Sequence, residues 1–212
     1  MSEKFGKIAD GLLHGKIDEV AALTQELLDE GVDPDEVLQK GLFAGMDVVG
    51  KKFKNCEMFI PEVLRSAKAM HAAMDKLRPV LSEEGGSRAG TVVMATVQGD
   101  LHDIGKNLAG MMMEGAGFNI IDMGIDRKTE DIVDMVKEKK PQILGLSALL
   151  TTTMPKMGEV INALKEAGIR DQVKVIVGGA PVTDDFAREI GADAYAPNAS
   201  IGTEKALELI KA

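Results

Sequence analysis

Apolar residues recur at three- and four-residue intervals through the first third of the chain, which is the spacing of amphipathic helices. Four helices are predicted on this basis: two within residues 3–31, a third over roughly 34–52, and a fourth that begins at Ile60 and Pro61. Gly31 is a suitable C-cap for the second helix, and Asp33 followed by Pro34 is a typical start for the third. Four helices with short connections indicate a small bundle.

The pattern changes after residues 83–90, a polar, glycine-rich stretch that we interpret as a linker. Beyond it, short apolar runs alternate with amphipathic stretches. The runs predicted as strands are 91–97, 118–124, 143–148, 173–179 and a short fifth at 192–197. Helices are predicted at 104–115, 128–139, 155–168, 183–190 and 201–211. Apolar strands that alternate with helices indicate a parallel sheet covered on both faces.

Two domains are therefore expected. Residues 1–88 are predicted to form an all-α four-helix bundle. Residues 89–212 are predicted to form an α/β flavodoxin-like (Rossmann-like) domain with a parallel five-stranded sheet.

Composition and charge narrow the possible partners and the compartment. The 212 residues carry a net charge of −9, and such an acidic surface repels nucleic acid and anionic lipid. No apolar run approaches the ~20 residues that span a bilayer, and the charged N-terminus is not a signal peptide. The single cysteine, Cys56, cannot form an intramolecular disulfide. We therefore expect a cytoplasmic protein that binds neither nucleic acid nor membranes.

Polar residues and glycines collect at the predicted carboxyl ends of three strands. In flavodoxin-like sheets, ligands bind at this edge, where the strand order reverses between the first and third strands. After the first strand come Gln98, Gly99, Asp100, Leu101, His102, Asp103, Ile104 and Gly105. After the third come Ser147, Leu149, Thr151 and Thr153, and after the fourth come Gly178, Gly179 and Ala180. These residues form the predicted binding site.

His102 is the predicted metal ligand of this site. A neutral imidazole binds transition metals well, and a carboxylate often accepts a hydrogen bond from its second nitrogen. Asp100 is the natural partner for that bond, and Asp103 is the alternative. No further cluster of metal-binding side chains converges here in the sequence. One histidine is sufficient only if the metal arrives in a macrocycle that supplies the other ligands.

Three motifs in this region resemble those of cobalamin-binding domains. Asp100–Gly105 matches the D-x-H-x-x-G signature, Ser147–Leu149 matches S-x-L, and Gly178 with Gly179 matches the closing G-G. Forty-one residues separate the first motif from the second, and twenty-eight separate the second from the third, as in that family. The stretch from Gly50 to Met70 also resembles the helical cap of B12-dependent methionine synthase and of methyltransferase corrinoid proteins.

The resemblance implies a role for each matching residue. His102 is implied to be the lower axial ligand of cobalt, Asp100 its hydrogen-bond partner, and Thr153 stands where the family often has a serine. Ser147 and Thr151 are implied to line a tunnel for the displaced nucleotide tail of the cofactor, and Gly178 and Gly179 to let that tail pass close to the backbone. Three cap residues are implied to cover the upper, methyl-bearing face of the corrin: Phe53, Ile60 and Val63.

The resemblance also implies a function as a methyl-carrying corrinoid protein that is not catalytic alone. Its implied partners are a substrate-specific corrinoid methyltransferase, a second methyltransferase that acts on coenzyme M or tetrahydrofolate, and a reductive activation protein. The sequence does not name the methyl donor. Two other functions stay open: a cobalamin-binding subunit of an adenosylcobalamin-dependent mutase, which would lack the cap, and a non-enzymatic B12 sensor. A phosphate-accepting receiver domain is disfavoured, because Ser147 occupies the place of its acidic residue.

Several of these residues also have simpler explanations. The threonines at 151–153 could cap the following helix, and Gly178 with Gly179 could form only a tight turn. The three cap residues could be ordinary bundle core. Of the other candidate side chains, His14, His71 and Cys56 have no matching partners in sequence, and the methionines at 111–113 are predicted to be helix core.

Overall fold

A computed structural model describes residues 2–81 and 89–211 of the chain, so residues 83–88 of the predicted linker lie outside the described residues. The described chain divides into two compact units. The helical unit contains residues 2–81 together with Glu114–Gly117, and the sheet unit contains residues 89–113 and 118–211. The predicted domain boundary after residue 88 coincides with the end of the gap in the described residues and stays a prediction.

The helical unit contains the helices that the apolar spacing predicts. They are α1 (Ser2–Leu13), α2 (Ile17–Asp29), α3 (Pro34–Val37), a π-helical segment (Leu38–Phe43), α4 (Ala44–Lys54) and α5 (Ile60–Leu77). The segments from 34 to 54 follow one another without a break, so together they form the predicted third helix. Asp33 caps it as expected, because its Oδ1 accepts a hydrogen bond from Asp35 N at 2.9 Å.

Two glycines explain how closely the third helix packs on the first. A Cβ atom at Gly45 would lie 2.9 Å from Ala9 Cα and 2.7 Å from Leu12 Cδ1. A Cβ atom at Gly41, inside the π-helical segment, would lie 3.2 Å from Ile8 Cγ2. The buried apolar side chains of the helical unit include Ile8, Leu12, Val20, Leu27, Leu38, Leu42, Val49, Met70 and Leu77.

The sheet unit is a parallel five-stranded sheet with helices on both faces. Its strands are β1 (Gly90–Thr96), β2 (Phe118–Asp122), β3 (Ile143–Ser147), β4 (Lys174–Gly178) and β5 (Ala194–Ala196). Its helices are α6 (Ile104–Gly115), α7 (Thr129–Lys139), α8 (Pro155–Glu166), α9 (Asp184–Ile190) and α10 (Ala199–Leu209). The order β2-β1-β3-β4-β5 confirms the flavodoxin-like prediction and places the switch point between β1 and β3.

The two faces of this sheet differ in their packing. One face carries Val93, Leu144 and Val175 and is closed by α7, α8 and α9 in a continuous apolar core. The alternate residues on β1, β3 and β4 point to the other face, because successive side chains of a strand alternate. At the carboxyl edge, Thr96 is in register with Ser147, and Ser147 with Gly178. This register brings the loops after β1, β3 and β4 side by side.

Candidate functional site

Asp100 is the centre of a hydrogen-bonded cluster in the loop after β1. Its side chain is fully buried, and its two carboxylate oxygens are shared between neighbouring loops. Oδ1 accepts hydrogen bonds from His102 N at 3.0 Å and from the His102 ring at Nδ1, 2.8 Å away. Oδ2 accepts from Leu149 N at 2.7 Å, Leu150 N at 3.2 Å and Thr153 Oγ1 at 2.7 Å. We call these five residues the Asp100 cluster.

The hydrogen bonds of this cluster determine the charge of Asp100. Burial alone would raise the pKa of the carboxyl, but the hydrogen bonds from Thr153, His102 and Leu149 outweigh it and hold the pKa well below its usual range. The carboxylate is therefore ionised at neutral pH and can only accept hydrogen bonds. It follows that His102 carries a proton on Nδ1, which leaves Nε2 as the nitrogen with the lone pair in a neutral imidazole. The His102 side chain is 50% exposed, so this nitrogen is accessible to a ligand.

Three hydrogen bonds hold the backbone of the loop after β1 in place. Thr96 Oγ1, at the end of β1, donates a hydrogen bond to His102 O at 3.0 Å. Gly99 has φ +83° and donates its N–H to Asp126 Oδ1 at 2.7 Å. Asp126 N in turn donates to Asp100 O at 3.1 Å. A left-handed residue at position 99 favours glycine, so the loop geometry depends on this residue.

Asp103, the alternative partner of His102, has a different role. Its Oδ2 accepts a hydrogen bond from Asn107 Nδ2 at 3.0 Å, and its carbonyl oxygen accepts from Asn107 N at 2.8 Å. Asp103 thus satisfies donors in the first turn of α6. In the same turn the buried Lys106 Nζ lies 2.6 Å from both carboxylate oxygens of Asp122, which ties α6 to the end of β2.

A cavity of about 550 Å³ lies beside His102, within the sheet unit. It is bounded by the sheet face opposite the α7–α9 core and by helices α6 and α10, and we call it the α6–α10 cavity. Its size is in the range of small-molecule sites. Ten of the predicted site residues line it: Leu101, His102, Asp103, Ile104, Gly105, Ser147, Leu149, Gly178, Gly179 and Ala180.

The remaining predicted residues lie elsewhere. Gln98, Gly99, Asp100 and Thr153 are in the loops next to His102 but are not among the residues that line the cavity. Thr151 is exposed and does not line the cavity either, so the structure gives no support to its predicted place in a tunnel.

The three predicted cap residues differ in exposure within the helical unit. Ile60 is 43% exposed and Phe53 is half-buried, so both present surface. Val63 is fully buried in the core of the unit and presents none in this conformation. The simpler explanation, bundle core, therefore describes Val63.

Close contacts with neighbouring backbone explain why positions 178 and 179, at the end of β4, are glycines. A Cβ atom at Gly179 would lie 1.8 Å from the Ala148 carbonyl oxygen, and the residue has φ +135°. A Cβ atom at Gly178 would lie 2.9 Å from the Ala196 carbonyl oxygen. The loop after β3 and the end of β5 can approach the end of β4 this closely only because positions 178 and 179 carry no side chains.

Sequence reasoning missed the inner wall of the cavity. The additional lining residues are Met94, Lys106, Ala109, Met113, Gly145, Leu146, Ile176, Ala196, Pro197, Asn198, Ala199 and Gly202. Gly145 was the available signal, because a glycine inside a buried strand often marks a close approach by a ligand or another backbone. Pro197 and Asn198, between β5 and α10, form a fourth loop at the same edge of the sheet.

The donor set of the site fits a metal that brings its own ligands. Within residues 2–81 and 89–211, no three His, Cys, Asp or Glu side chains are grouped so that they could hold a metal ion. His102 supplies one accessible nitrogen, whose orientation is fixed by Asp100. A single oriented imidazole beside a large cavity is suited to a metal in a macrocycle with a bulky appendage.

Comparison with known proteins gives two family matches and many relatives. B12 binding domain models match residues 5–78 and residues 90–201. The chain is 42% identical over 209 residues to dimethylamine corrinoid protein 1 of Methanosarcina acetivorans, with 98% of each chain covered. It is 44% identical over 191 residues to the trimethylamine corrinoid protein of Methanosarcina barkeri, covering 89% of this chain and 88% of the relative.

Two solved structures are similar in fold and sequence. The methanol:cobalamin methyltransferase complex from Methanosarcina barkeri contains a chain with a TM-score of 0.91 and 31% identity, covering 99% of this chain and 80% of that one. A cobalamin-binding protein from Desulfitobacterium hafniense has a TM-score of 0.79 and 36% identity, covering 97% and 98%. Both similarities extend over the helical unit and the sheet unit.

Proposed function

Because this chain belongs to the family of B12-binding corrinoid proteins, we propose that it holds a corrinoid through His102 and carries a methyl group on cobalt between two methyltransferases. The observation that supports this most directly is the state of His102. Its Nδ1 is bound to the ionised Asp100, and its Nε2 is free to coordinate beside the α6–α10 cavity.

In this proposal a bound corrinoid would supply the methyl-transfer chemistry. His102 would supply one nitrogen to its metal, in an orientation that Asp100 fixes. Asp100 keeps the Nδ1 proton in place and increases electron density at Nε2, as carboxylates do for metal-bound histidines. Asp100 and Thr153 thus act on the cofactor through His102.

Thr153 gives the cluster two hydrogen-bonding arrangements. Its hydroxyl oxygen lies 2.7 Å from Asp100 Oδ2 and 2.9 Å from Leu150 O, and its one proton can be donated to either acceptor. When the Thr153 hydroxyl donates to Asp100, it withdraws electron density from the carboxylate, and Nε2 of His102 becomes a weaker metal ligand. When it donates to Leu150 O, the carboxylate stays more basic and Nε2 is a stronger ligand. Thr153 therefore adjusts the strength of the axial ligand.

The α6–α10 cavity is the proposed site of the nucleotide tail of the corrinoid. If His102 held the metal in place of the base at the end of that tail, the base would have to be accommodated elsewhere. The cavity begins at His102, and Ser147 and Gly178 line it at the edge of the sheet. Phe53 and Ile60, which present surface on the helical unit, are the proposed covers for the upper face of the corrin.

The proposed partners are a substrate:corrinoid methyltransferase, a second methyltransferase that uses coenzyme M or tetrahydrofolate, and a reductive activation protein. The relatives support the first of these, since one similar chain belongs to a methanol:cobalamin methyltransferase complex. Among the described helices, none combines the length and apolar character needed to cross a bilayer. We place the protein in the cytoplasm.

The axial ligand can be identified by electron paramagnetic resonance of the cobalt(II) corrinoid bound to protein that contains ¹⁵N-labelled histidine. Coordination by His102 Nε2 predicts that the nitrogen splitting changes from three lines to two on labelling, because the spins of ¹⁴N and ¹⁵N differ. The His102→Ala variant should lose this signal, whereas His14→Ala, which removes an exposed histidine just after α1, should keep it. A three-line pattern that survives labelling means that the base of the cofactor still binds cobalt, and the proposal fails.

Methyl transfer is tested on the same proteins with a partner methyltransferase. The chain loaded with hydroxocobalamin and reduced to the cobalt(I) form by an added chemical reductant is expected to accept a methyl group, and His102→Ala to do so at least about tenfold more slowly. Selective retention of adenosylcobalamin with no methyl uptake would instead support a mutase subunit.

A further inference from the structure

The loop between β2 and α7, residues 123–128, is bound to the end of β1 by main-chain hydrogen bonds. Thr96 N donates to Gly124 O at 3.0 Å, and Arg127 N donates to Thr96 O at 3.0 Å. The two residues between these contacts, Ile125 and Asp126, are exposed. Because Thr96 is part of the sheet, it fixes the main chain on both sides of this exposed pair.

Asp126 makes two hydrogen bonds to the loop after β1. Its Oδ1 accepts from Gly99 N at 2.7 Å, and its own N–H donates to Asp100 O at 3.1 Å. The N-cap of α7 is Lys128, so Asp126 lies outside that helix, and its side chain is bonded to a residue 27 positions earlier in the chain. One residue of the β2 loop thus holds both Gly99 and Asp100.

The hydrogen bond to Gly99 acts on a β-turn that immediately precedes the buried Asp100 carboxylate. Asp100 N donates to Val97 O at 3.1 Å, which closes the turn, and Gly99 is its third residue with φ +83°. A positive φ at the third residue is typical of a type II turn, whereas a type I turn has φ near about −90° there. The two types differ by a flip of the central peptide unit, whose N–H belongs to Gly99. By accepting this N–H, Asp126 Oδ1 holds the peptide unit in the type II orientation.

The type of turn affects the direction of the Asp100 carboxylate. Its Oδ2 is held by the loop after β3, through hydrogen bonds from Leu149 N and Thr153 Oγ1. Its Oδ1 accepts from the main chain and from the ring of His102. While Oδ2 stays bound, a flip of the turn would shift the Asp100 main chain and rotate Oδ1 away from the ring. Contact between Asp100 and His102 therefore depends on the turn as well as on the β3 loop.

We propose that Asp126 is a positioning residue of the site, and that its carboxylate selects the turn that directs Asp100 Oδ1 to His102. Asp126 is not among the residues that line the α6–α10 cavity, and it acts through Gly99 and Asp100 on the proton of His102 Nδ1. The inference rests on the proposed function only for the use of His102 as a metal ligand. The effect on the imidazole itself is tested without a cofactor.

Three substitutions separate the carboxylate oxygen from the backbone conformation of Asp126, which has φ +51°. Asp126→Asn keeps an oxygen acceptor, and asparagine adopts the left-handed region more readily than most residues. Asp126→Gly removes the acceptor and relaxes the backbone, whereas Asp126→Ala removes the acceptor and strains it. An effect that the glycine and alanine variants share, and that the asparagine variant lacks, comes from the missing oxygen.

Lys140→Gly is the matched control. Lys140 is also a left-handed residue of the sheet unit, with φ +45° at the C-cap of α7. It precedes β3, at the edge of the sheet opposite His102. Glycine at this position relaxes the backbone in the same way as Asp126→Gly but leaves the turn before Asp100 intact, so it should not affect His102.

The first measurement is ¹⁵N nuclear magnetic resonance of the cofactor-free protein at about pH 9, where an ordinary histidine is neutral. The chain has three histidines, and the spectrum of His102→Ala identifies the ring signals of His102. These signals give the ratio of the Nδ1–H form to the Nε2–H form. The ratio should fall at least about threefold in Asp126→Gly and Asp126→Ala, which is the effect expected from losing one hydrogen bond. The Asp126→Asn and Lys140→Gly variants should keep the wild-type ratio.

The second measurement is the affinity of the same variants for hydroxocobalamin, followed by the absorbance change on displacement of the base. Residues that orient a metal-bound histidine contribute about tenfold to a hundredfold to metal affinity, and Asp126 acts one step further away. We therefore expect losses of about tenfold for Asp126→Gly and Asp126→Ala, and of at most about threefold for Asp126→Asn. Lys140→Gly should bind like the wild type.

The outcomes separate this inference from the proposed function. An unchanged ratio of the two His102 forms in Asp126→Gly and Asp126→Ala would overturn the inference and leave the carrier function intact. Equal changes in Asp126→Asn or in Lys140→Gly would also overturn it, because the oxygen would then not be the cause. Circular dichroism identifies a variant that fails to fold, and the other acceptor-free variant then decides. If the wild type does not bind hydroxocobalamin with its base displaced, the proposed function fails, while the resonance measurement still decides the role of Asp126.

Discussion

Asp100 is the residue through which the loops of the site depend on one another. Its buried carboxylate accepts hydrogen bonds from the β1 loop at His102 and from the β3 loop at Leu149, Leu150 and Thr153. A buried charge is tolerated only when its hydrogen-bonding capacity is met, and here several donors meet it. The D-x-H spacing made Asp100 predictable, but its bonds to the β3 loop depend on strand order and could not be predicted from local sequence.

The Asp100→Asn variant is expected to lower the free energy of unfolding by about 1–3 kcal/mol. An amide is neutral and presents one oxygen and one NH₂ group, so it cannot accept from every donor that surrounds the carboxylate. Urea unfolding of the cofactor-free protein measures the change. Asp103→Asn is the matched control, because the Asp103 side chain accepts its hydrogen bond from Asn107 on the same helix. Equal losses in the two variants would contradict the central role of Asp100.

The contribution of Asp100 to stability should also depend on pH. Its pKa in the folded protein is below the ordinary value of about 3.9, so folding favours the ionised form. The stabilisation is therefore fully present above the ordinary pKa and is lost as pH falls through it toward the folded pKa.

The difference in unfolding free energy between the wild type and Asp100→Asn should shrink as the pH falls below about 4. Urea unfolding across this range provides the measurement. Val136→Ala removes part of a buried core side chain in the same unit without altering an ionisable group, so its effect should not change with pH. A difference for Asp100→Asn that grows on acidification would show that the sign is wrong.

At the scale of elements, strands and helices were predictable to within a few residues, and departures have identifiable causes. The run at 118–124 was predicted as strand, but β2 ends at Asp122, where Gly124 takes φ +85°. The helix predicted at 34–52 contains the π-helical segment Leu38–Phe43. Apolar spacing alone does not distinguish a π turn from an α turn, because that choice depends here on packing against α1.

The inner wall of the cavity was not predictable for a related reason. Met94, Ala109 and Met113 occupy positions where the apolar pattern is fully explained by burial between a sheet and a helix. Their pattern is the same whether they contact protein or a ligand. Loop residues such as His102 differ, because a polar side chain at a strand end calls for a chemical explanation.

Close packing of α4 on α1 predicts opposite effects for two glycine substitutions. Gly45→Ala should destabilise the protein by about 1–3 kcal/mol, because the new Cβ would lie too close to Ala9 Cα and Leu12 Cδ1. Gly6→Ala, on the exposed side of α1 with nothing within 4 Å, should stabilise it by about 0.5–1 kcal/mol through helix propensity. Thermal unfolding of both variants provides the test. A stabilising Gly45→Ala would mean that the two helices pack less closely.

At the scale of the whole molecule, the Asp100 cluster and the α6–α10 cavity belong to the sheet unit alone. That unit has its own apolar core, built from β1, β3 and β4 with α7, α8 and α9. The helical unit has a separate core around Leu12, Leu27 and Leu38. The proposed coordination by His102 and the proposed accommodation of the tail therefore involve residues of the sheet unit only.

A fragment that comprises residues 89–212 is accordingly expected to bind hydroxocobalamin with the base displaced, within about tenfold of the affinity of the full chain. Tenfold corresponds to about 1.4 kcal/mol, which is the allowance for contacts from Phe53 and Ile60. Absorbance titration measures the affinity, and circular dichroism checks that the fragment is folded. The same fragment with His102→Ala is the control and should fail to displace the base. A folded fragment that binds more than a hundredfold more weakly would show that His102 and the cavity are insufficient, and that the helical unit provides most of the binding energy.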